Sequence, residues 1–138
     1  MLAKLRHIAI ATHDPESTAA FYKKHFGMEE AGVIDNELGK GVYLSDGVMN
    51  LAVIKKQGPW TNLPDDDPNF TGIDHFGFIV DNLEKTMEQL ENDGSREVAD
   101  LYQGAGKETV CYERKFLAPD GVVIDVSEHG WVGANREV

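Results

Sequence analysis

Two histidines and one aspartate stand out in this 138-residue sequence as side chains that could act together. His7 lies in the run Leu5-Arg6-His7-Ile8-Ala9-Ile10-Ala11-Thr12, His75 in Ile73-Asp74-His75-Phe76-Gly77-Phe78-Ile79-Val80, and Asp125 in Val123-Ile124-Asp125-Val126. Each run is rich in apolar and β-branched residues and alternates loosely, which predicts a strand. Alternate strand residues face opposite ways. Ile8 and Ile10, Phe76 and Phe78, and Ile124 and Val126 then suit cover by a helix, leaving His7, His75 and Asp125 on the other face. Small residues two positions after each histidine, Ala9 and Gly77, are expected to leave space for a ligand.

A carboxylate inside an apolar strand is costly unless a cation compensates it. No Lys or Arg is expected at a matching strand position near Asp125. A divalent metal held by His7, His75 and Asp125 is therefore the expected compensation. Such a donor set suits Fe(II), Mn(II) or Zn(II) and leaves positions open for water or substrate. Either histidine alone would read as a buried core residue; their repeated placement reverses that reading. Glu128 is the substitute carboxylate if the strand carries a bulge. Tyr43, Tyr112 and Glu113 on bordering strands, and His129 beside Glu128, are candidate acids or bases. His13, in a turn, and His25, at a helix C-terminus, read as structural. Cys111 reads as a small core residue.

The elements that must position these residues occur twice. Asp14-Pro15 predicts an N-cap with proline in the first helical turn, and Gly27 a stop. Between them Thr18, Phe21, Tyr22 and His25 or Phe26 fall at helical spacing. In the second copy Asp81 and Glu84 resemble a capping box, Leu83, Met87 and Leu90 mark a helix face, and Asn92-Asp93-Gly94 ends it. A shift of 68 residues superposes His7 on His75 and Ile10 on Phe78. Downstream, Tyr43-Leu44-Ser45-Asp46-Gly47-Val48 matches Leu117-Ala118-Pro119-Asp120-Gly121-Val122 at an offset of 74, with Asp-Gly as the hairpin signal. Each copy reads strand, helix, then about three strands, giving modules of about 1–57 and 72–138 within a single domain. Residues 58–71 form the linker, whose Asp65-Asp66-Asp67 run reads as a solvated loop.

Composition sets the outer limits. With 24 Asp+Glu against 13 Lys+Arg, the net charge of −11 argues against nucleic-acid or anionic-membrane partners. The one cysteine excludes an intramolecular disulfide and a thiolate zinc site. No apolar run approaches the ~20 residues of a membrane span, and no signal-peptide pattern occurs. A cytoplasmic domain acting on a small molecule is expected.

The segments LRHIAIATHDPESTAAFYKKHFG, IDHFGFIVDNLEKTMEQLENDG and LAPDGVVIDV resemble the vicinal oxygen chelate superfamily, which spans glyoxalases, bleomycin-resistance proteins and extradiol dioxygenases. The resemblance implies an α+β fold of two tandem βαβββ modules forming a curled mixed-sheet cup, with a homodimer favoured. It places metal ligands at His7 and His75, and at Asp125 where the family usually has Glu. It places Leu51 at the fourth ligand position, and leucine coordinates nothing. The remaining three-ligand set resembles extradiol dioxygenases and fosfomycin-modifying transferases. The implied activity is a divalent-metal enzyme using Fe(II), Mn(II), Zn(II) or Ni(II) on a small substrate with vicinal oxygens, dioxygenase-like slightly ahead of lyase or isomerase. The alternative is a metal-free binding protein that sequesters a small ligand through Trp60, Trp131 and Tyr43.

Overall fold

A computed structural model describes residues 3–99 and 113–138. Among them lie seven strands and two α-helices: β1 (Lys4–Ala11), α1 (Pro15–Phe26), β2 (Glu29–Asn36), β3 (Gly39–Ser45), β4 (Asn50–Lys56), β5 (Gly72–Ile79), α2 (Leu83–Asn92), β6 (Glu113–Leu117) and β7 (Val123–Ser127). The strands form one mixed sheet in the order β2-β3-β4-β1-β5-β7-β6. Within each repeat the first strand runs parallel to the last, β1 with β4 and β5 with β7, and its other pairings are antiparallel. The architecture is α+β, as expected. Cys111, Tyr112 and the rest of the strand expected before β6 lie outside the described residues. Among the described residues no helix is long and apolar enough to cross a membrane.

Both helices cover the same side of the sheet, as the alternation of apolar residues requires. Ile8 and Ile10 pack with Leu51 and Val53 beneath Ala19 and Tyr22 of α1. Phe76, Phe78, Ile124 and Val126 pack with Phe116 beneath Leu83, Met87 and Leu90 of α2. Each large apolar side chain fully removed from water contributes about 1.5–3 kcal/mol.

The start and stop signals of α1 are as expected: Asp14 accepts a hydrogen bond from the Ser17 N–H at 3.1 Å, and Gly27 ends the helix at φ 67°. Its buried stripe differs from the expected one. Ala19 and Tyr22 face the sheet, whereas Phe21 and Phe26 are 52% and 68% exposed and meet edge-on, with Phe21 tilted against His25. A small residue at the contact lets the helix sit close, and that turns the large aromatics outward. In α2 the cap falls one residue later than expected. Asn82 Oδ1, not Asp81, accepts the Lys85 N–H at 2.9 Å, and Leu83 opens the helix. Of the acidic triplet, Asp65 and Asp67 are exposed, but Asp66 turns inward. It accepts hydrogen bonds from the Trp60 and Thr61 N–H groups and from the Lys56 ammonium.

The repeats meet edge to edge within one chain through antiparallel β1 and β5. In this register His7 is opposite Gly77, and Ala9 is opposite His75. The small residue of each strand therefore makes room for the histidine of the other. The space expected for a ligand is largely taken from outside as well: a Cβ on Gly77 would lie 2.7 Å from the Trp131 ring and 3.0 Å from Asp125 Cβ. Gly77→Ala is expected to destabilise the fold by about 1–3 kcal/mol through overpacking, read as a lower urea midpoint with an unchanged m-value.

Candidate metal centre

On the face away from the helices, β1, β5 and β7 bring His7, His75 and Asp125 together. The three are buried, and their donor atoms lie within 4.8 Å of one another. His7 Nε2 is 3.3 Å from His75 Nε2 and 3.6 Å from Asp125 Oδ2, and His75 Nε2 is 3.0 Å from the same oxygen. Ligands bound at about 2.0–2.2 Å to one metal stand roughly 3 Å apart, so the spacing fits. Among the described residues Asp125 Oδ2 is a buried acceptor without a hydrogen-bond donor, which a cation at this point would satisfy. The group has the chemistry and the geometry to hold a divalent metal ion.

The imidazoles are aimed by partners on their other nitrogens. His7 Nδ1 is 2.7 Å from Asn50 Oδ1, while Asn50 Nδ2 donates to the Val132 carbonyl at 2.8 Å. That second bond orients the amide, so His7 carries its proton on Nδ1 and its lone pair on Nε2. His75 Nδ1 donates to Asp74 Oδ1 at 2.7 Å, and Lys56 bridges Asp74 and Asp66 at 3.2 and 2.9 Å. Two tryptophans brace the rings crosswise. Trp131, which follows β7, stacks on His7 at 4.4 Å; Trp60, which follows β4, meets His75 edge-on at 5.7 Å. Outer partners of this kind fix ring orientation and ligand basicity.

A cation already stands beside Asp125, contrary to the sequence expectation. Lys115 on β6 is opposite Asp125 on β7, and its Nζ donates to Asp125 Oδ1 at 2.6 Å. The same ammonium lies 3.2 Å from His75 Nε2. The carboxylate is thus divided, Oδ1 to Lys115 and Oδ2 toward the imidazoles. Burial would raise the Asp125 pKa, but His75 and Lys115 hold it well below the usual carboxylate range. Burial would lower that of Lys115, but Asp125 and Glu113 raise it, so Lys115 stays charged. Burial, with the charge of His75, pushes His7 down to about 3 and keeps its Nε2 lone pair available. His75 moves the other way, because Asp125 outweighs the effect of burial.

Glu113 and Tyr43 line a cavity together with His7, His75 and Lys115 and with the apolar Ile34, Leu38, Ile54 and Trp60. Glu113 Oε2 accepts the Trp131 Nε1–H at 2.6 Å. Burial and the neighbouring Asp125 charge push the Glu113 carboxyl up to about 7. His129 and Glu128 are not brought here. Both are exposed, Glu128 accepts the Leu83 N–H at the start of α2, and β7 pairs in unbroken register with no bulge to turn Glu128 inward. Leu51 is also displaced from the expected fourth position. It faces α1, and Ala52, opposite Ala9 as Asp125 is opposite Gly77, occupies the cup-facing site. A one-residue difference in strand phase reverses the face. Sequence reasoning missed Asn50, Lys115 and the role of Asp74; the only signals were an amide opening β4, a lysine two residues after Glu113, and an acid beside His75.

Metal uptake must displace any proton on His75 Nε2. Apparent affinity for Zn(II) is expected to fall about tenfold per pH unit below the raised His75 pKa. A competition titration against a chromophoric chelator between about pH 5 and 8 checks this; a flat profile would contradict the ligand assignment of His75.

Comparisons with known proteins agree with this frame. Residues 4–126 match the Glyoxalase/Bleomycin resistance protein/Dioxygenase superfamily. Glyoxalase I of Saccharomyces cerevisiae is 28% identical over 147 residues, covering 88% of this chain and 44% of that protein. The chain thus spans less than half the length of that curated relative. A hypothetical protein from Bacillus halodurans superposes with a TM-score of 0.71 at 17% identity, covering 91% of this chain and 94% of the other. A Streptomyces coelicolor methylmalonyl-CoA epimerase variant with bound 2-nitronate-propionyl-CoA gives 0.68 at 20% identity, covering 91% and 96%. Methylmalonyl-CoA epimerase from Mycobacterium tuberculosis gives 0.66 at 18%, covering 88% and 85%. The repeated strand-helix units, the shared sheet and the match over residues 4–126 make the chain a member of the Glyoxalase/Bleomycin resistance protein/Dioxygenase superfamily.

Proposed function

We propose that the protein is a divalent-metal enzyme that moves a proton at a carbon next to an oxygen-bearing carbon of a small substrate, a lyase- or isomerase-type reaction. The sequence alone placed dioxygenase-like chemistry slightly ahead; Glu113 is the observation that reverses the order. A carboxyl with a pKa pushed up to about 7, on the wall of the same cavity as His7 and His75, is poised to take and return a proton near neutral pH. The likeness to glyoxalase I and to the fold of methylmalonyl-CoA epimerases supports this reading.

His7, His75 and Asp125 would hold the metal, which when bound polarises a substrate carbonyl and stabilises negative charge growing on its oxygen. Glu113, steadied by the Trp131 Nε1–H, accepts the proton from the adjacent carbon and returns it to the neighbouring position. Tyr43 and Trp60 also line the cavity.

A second reading has its own observation. Lys115 already neutralises one side of Asp125, so the cup holds together without a metal and could serve to sequester a ligand. Metal content decides between the two. Purified protein should carry close to one divalent ion per chain, chosen among Fe(II), Mn(II), Zn(II) and Ni(II), and His75→Ala should lose it. Protein that neither contains metal nor gains thermal stability on adding these ions would favour the binding role. For the reaction, solvent deuterium exchange into hydroxyacetone or lactaldehyde can be followed by NMR. Glu113→Gln should slow exchange by about 10²–10⁴-fold while keeping the metal. Because the ionised carboxylate is the base, the rate should decline on acidification, with a midpoint at or below about 7 once a metal cation is adjacent. Oxygen uptake with catechols is expected to be absent; its appearance would return the assignment to dioxygenase chemistry.

A further inference from the structure

We propose that Lys115 is a resident cation of the metal site: it holds the ligands before an ion arrives, must yield His75 to that ion, and thereby sets the affinity. The inference rests on the metal reading above and adds how loading of the site is regulated.

An ammonium can only donate hydrogen bonds. Lys115 Nζ stands 3.2 Å from His75 Nε2, and His75 Nδ1 is already given to Asp74. The contact at Nε2 therefore uses the lone pair that an ion would also use. The same Nζ donates to Asp125 Oδ1 at 2.6 Å, which leaves Oδ2 as the oxygen Asp125 has to offer. Lys115 thus meets two of the three donor residues, and an ion that takes His75 must displace it there. After that exchange the ammonium still rests on Asp125 Oδ1, a positive charge fixed beside the bound one.

The surroundings keep Lys115 at this post. It is opposite Asp125 in the β6–β7 ladder, and on the other edge its carbonyl accepts the Val98 N–H at 2.9 Å. The backbone is held on both sides, which leaves the side chain to move. Lys115 is 3% exposed, so salt screens its charge little. Asp125 is fully buried, and a buried carboxylate without a cation is costly. Lys115 supplies that cation before any metal is present, which lets the domain fold first and load afterwards. The same charge opposes the metal, because like charges repel more strongly at low dielectric. Removing it therefore acts oppositely on the two states: the metal-free fold weakens and the metal binds more tightly. A merely structural lysine would lower both.

The test is a competition titration of Zn(II) against a chromophoric chelator at one pH, paired with urea unfolding of the metal-free protein. Lys115→Gln keeps a donor for Asp125 Oδ1 and loses the charge. It should bind Zn(II) about ten- to hundredfold tighter than wild type, the range of one charged hydrogen bond, while its metal-free urea midpoint falls. Lys115→Arg keeps the charge and should show no gain. Equal or weaker Zn(II) binding by Lys115→Gln overturns the proposal, as does an equal gain in Lys115→Arg. Should Lys115→Gln fail to fold, wild type carrying 13C-labelled lysine replaces it. The Lys115 Cε signal should shift on adding Zn(II) and return with a chelator; an unmoved signal refutes displacement. Wild-type binding judges the functional reading, and the ratio of variant to wild type judges Lys115. Zinc held by Lys115→Gln but not by wild type supports the proposal and refutes that reading, and zinc held by neither refutes both.

Discussion

The pairing of β1 with β5 is the constraint on which the rest of the molecule depends. It joins the two repeats in one sheet and sets His7 against Gly77 and His75 against Ala9. Two imidazoles can approach to 3.3 Å only because each faces a residue with almost no side chain. Moving either strand by one residue would send its histidine to the helix-covered side and its isoleucines or phenylalanines into the cup. The apolar packing under α1 and α2 thus fixes the register, and the register builds the site.

The second organising element is the divided carboxylate of Asp125. Fully buried, it answers to Lys115 on one oxygen and to the imidazoles on the other. Removing one partner of such a buried pair typically costs about 3–5 kcal/mol, so Lys115 and Asp125 hold each other in place. The arrangement also separates two carboxyls by role. Asp125 stays ionised because its neighbours are cationic, and Glu113 is pushed up to about 7 by burial and by the ionised Asp125 beside it. Charge placed on β7 adds to burial in setting the acidity of the next carboxyl on β6.

Much of this was legible before any coordinates. A period of two placed His7, His75 and Asp125 on one face, and the offset of 68 identified the histidines as equivalents. Features that depend on register between strands were not legible. Lys115 became a partner of Asp125 through the β6–β7 pairing, which the alternation within either strand does not specify. The hairpin offset of 74 pointed to Leu51, whereas the strand registers make Ala52 the true counterpart of Asp125, an offset of 73. In α1, Phe21 and Phe26 drew the apolar stripe toward themselves, but close approach to the sheet went to Ala19. Tryptophan bracing was invisible because Trp60 and Trp131 lie outside the strands they support, beyond the reach of periodicity.

The crossed tryptophans and paired histidines give the cup an approximate two-fold axis, yet its two halves differ chemically. Where the second repeat carries Asp125, the first has Ala52. A symmetric frame would admit a small molecule in two opposite poses. This one offers a buried carboxylate on one side only. The lopsidedness of a duplicated scaffold is thereby a source of handedness, built by which repeat carries the carboxylate.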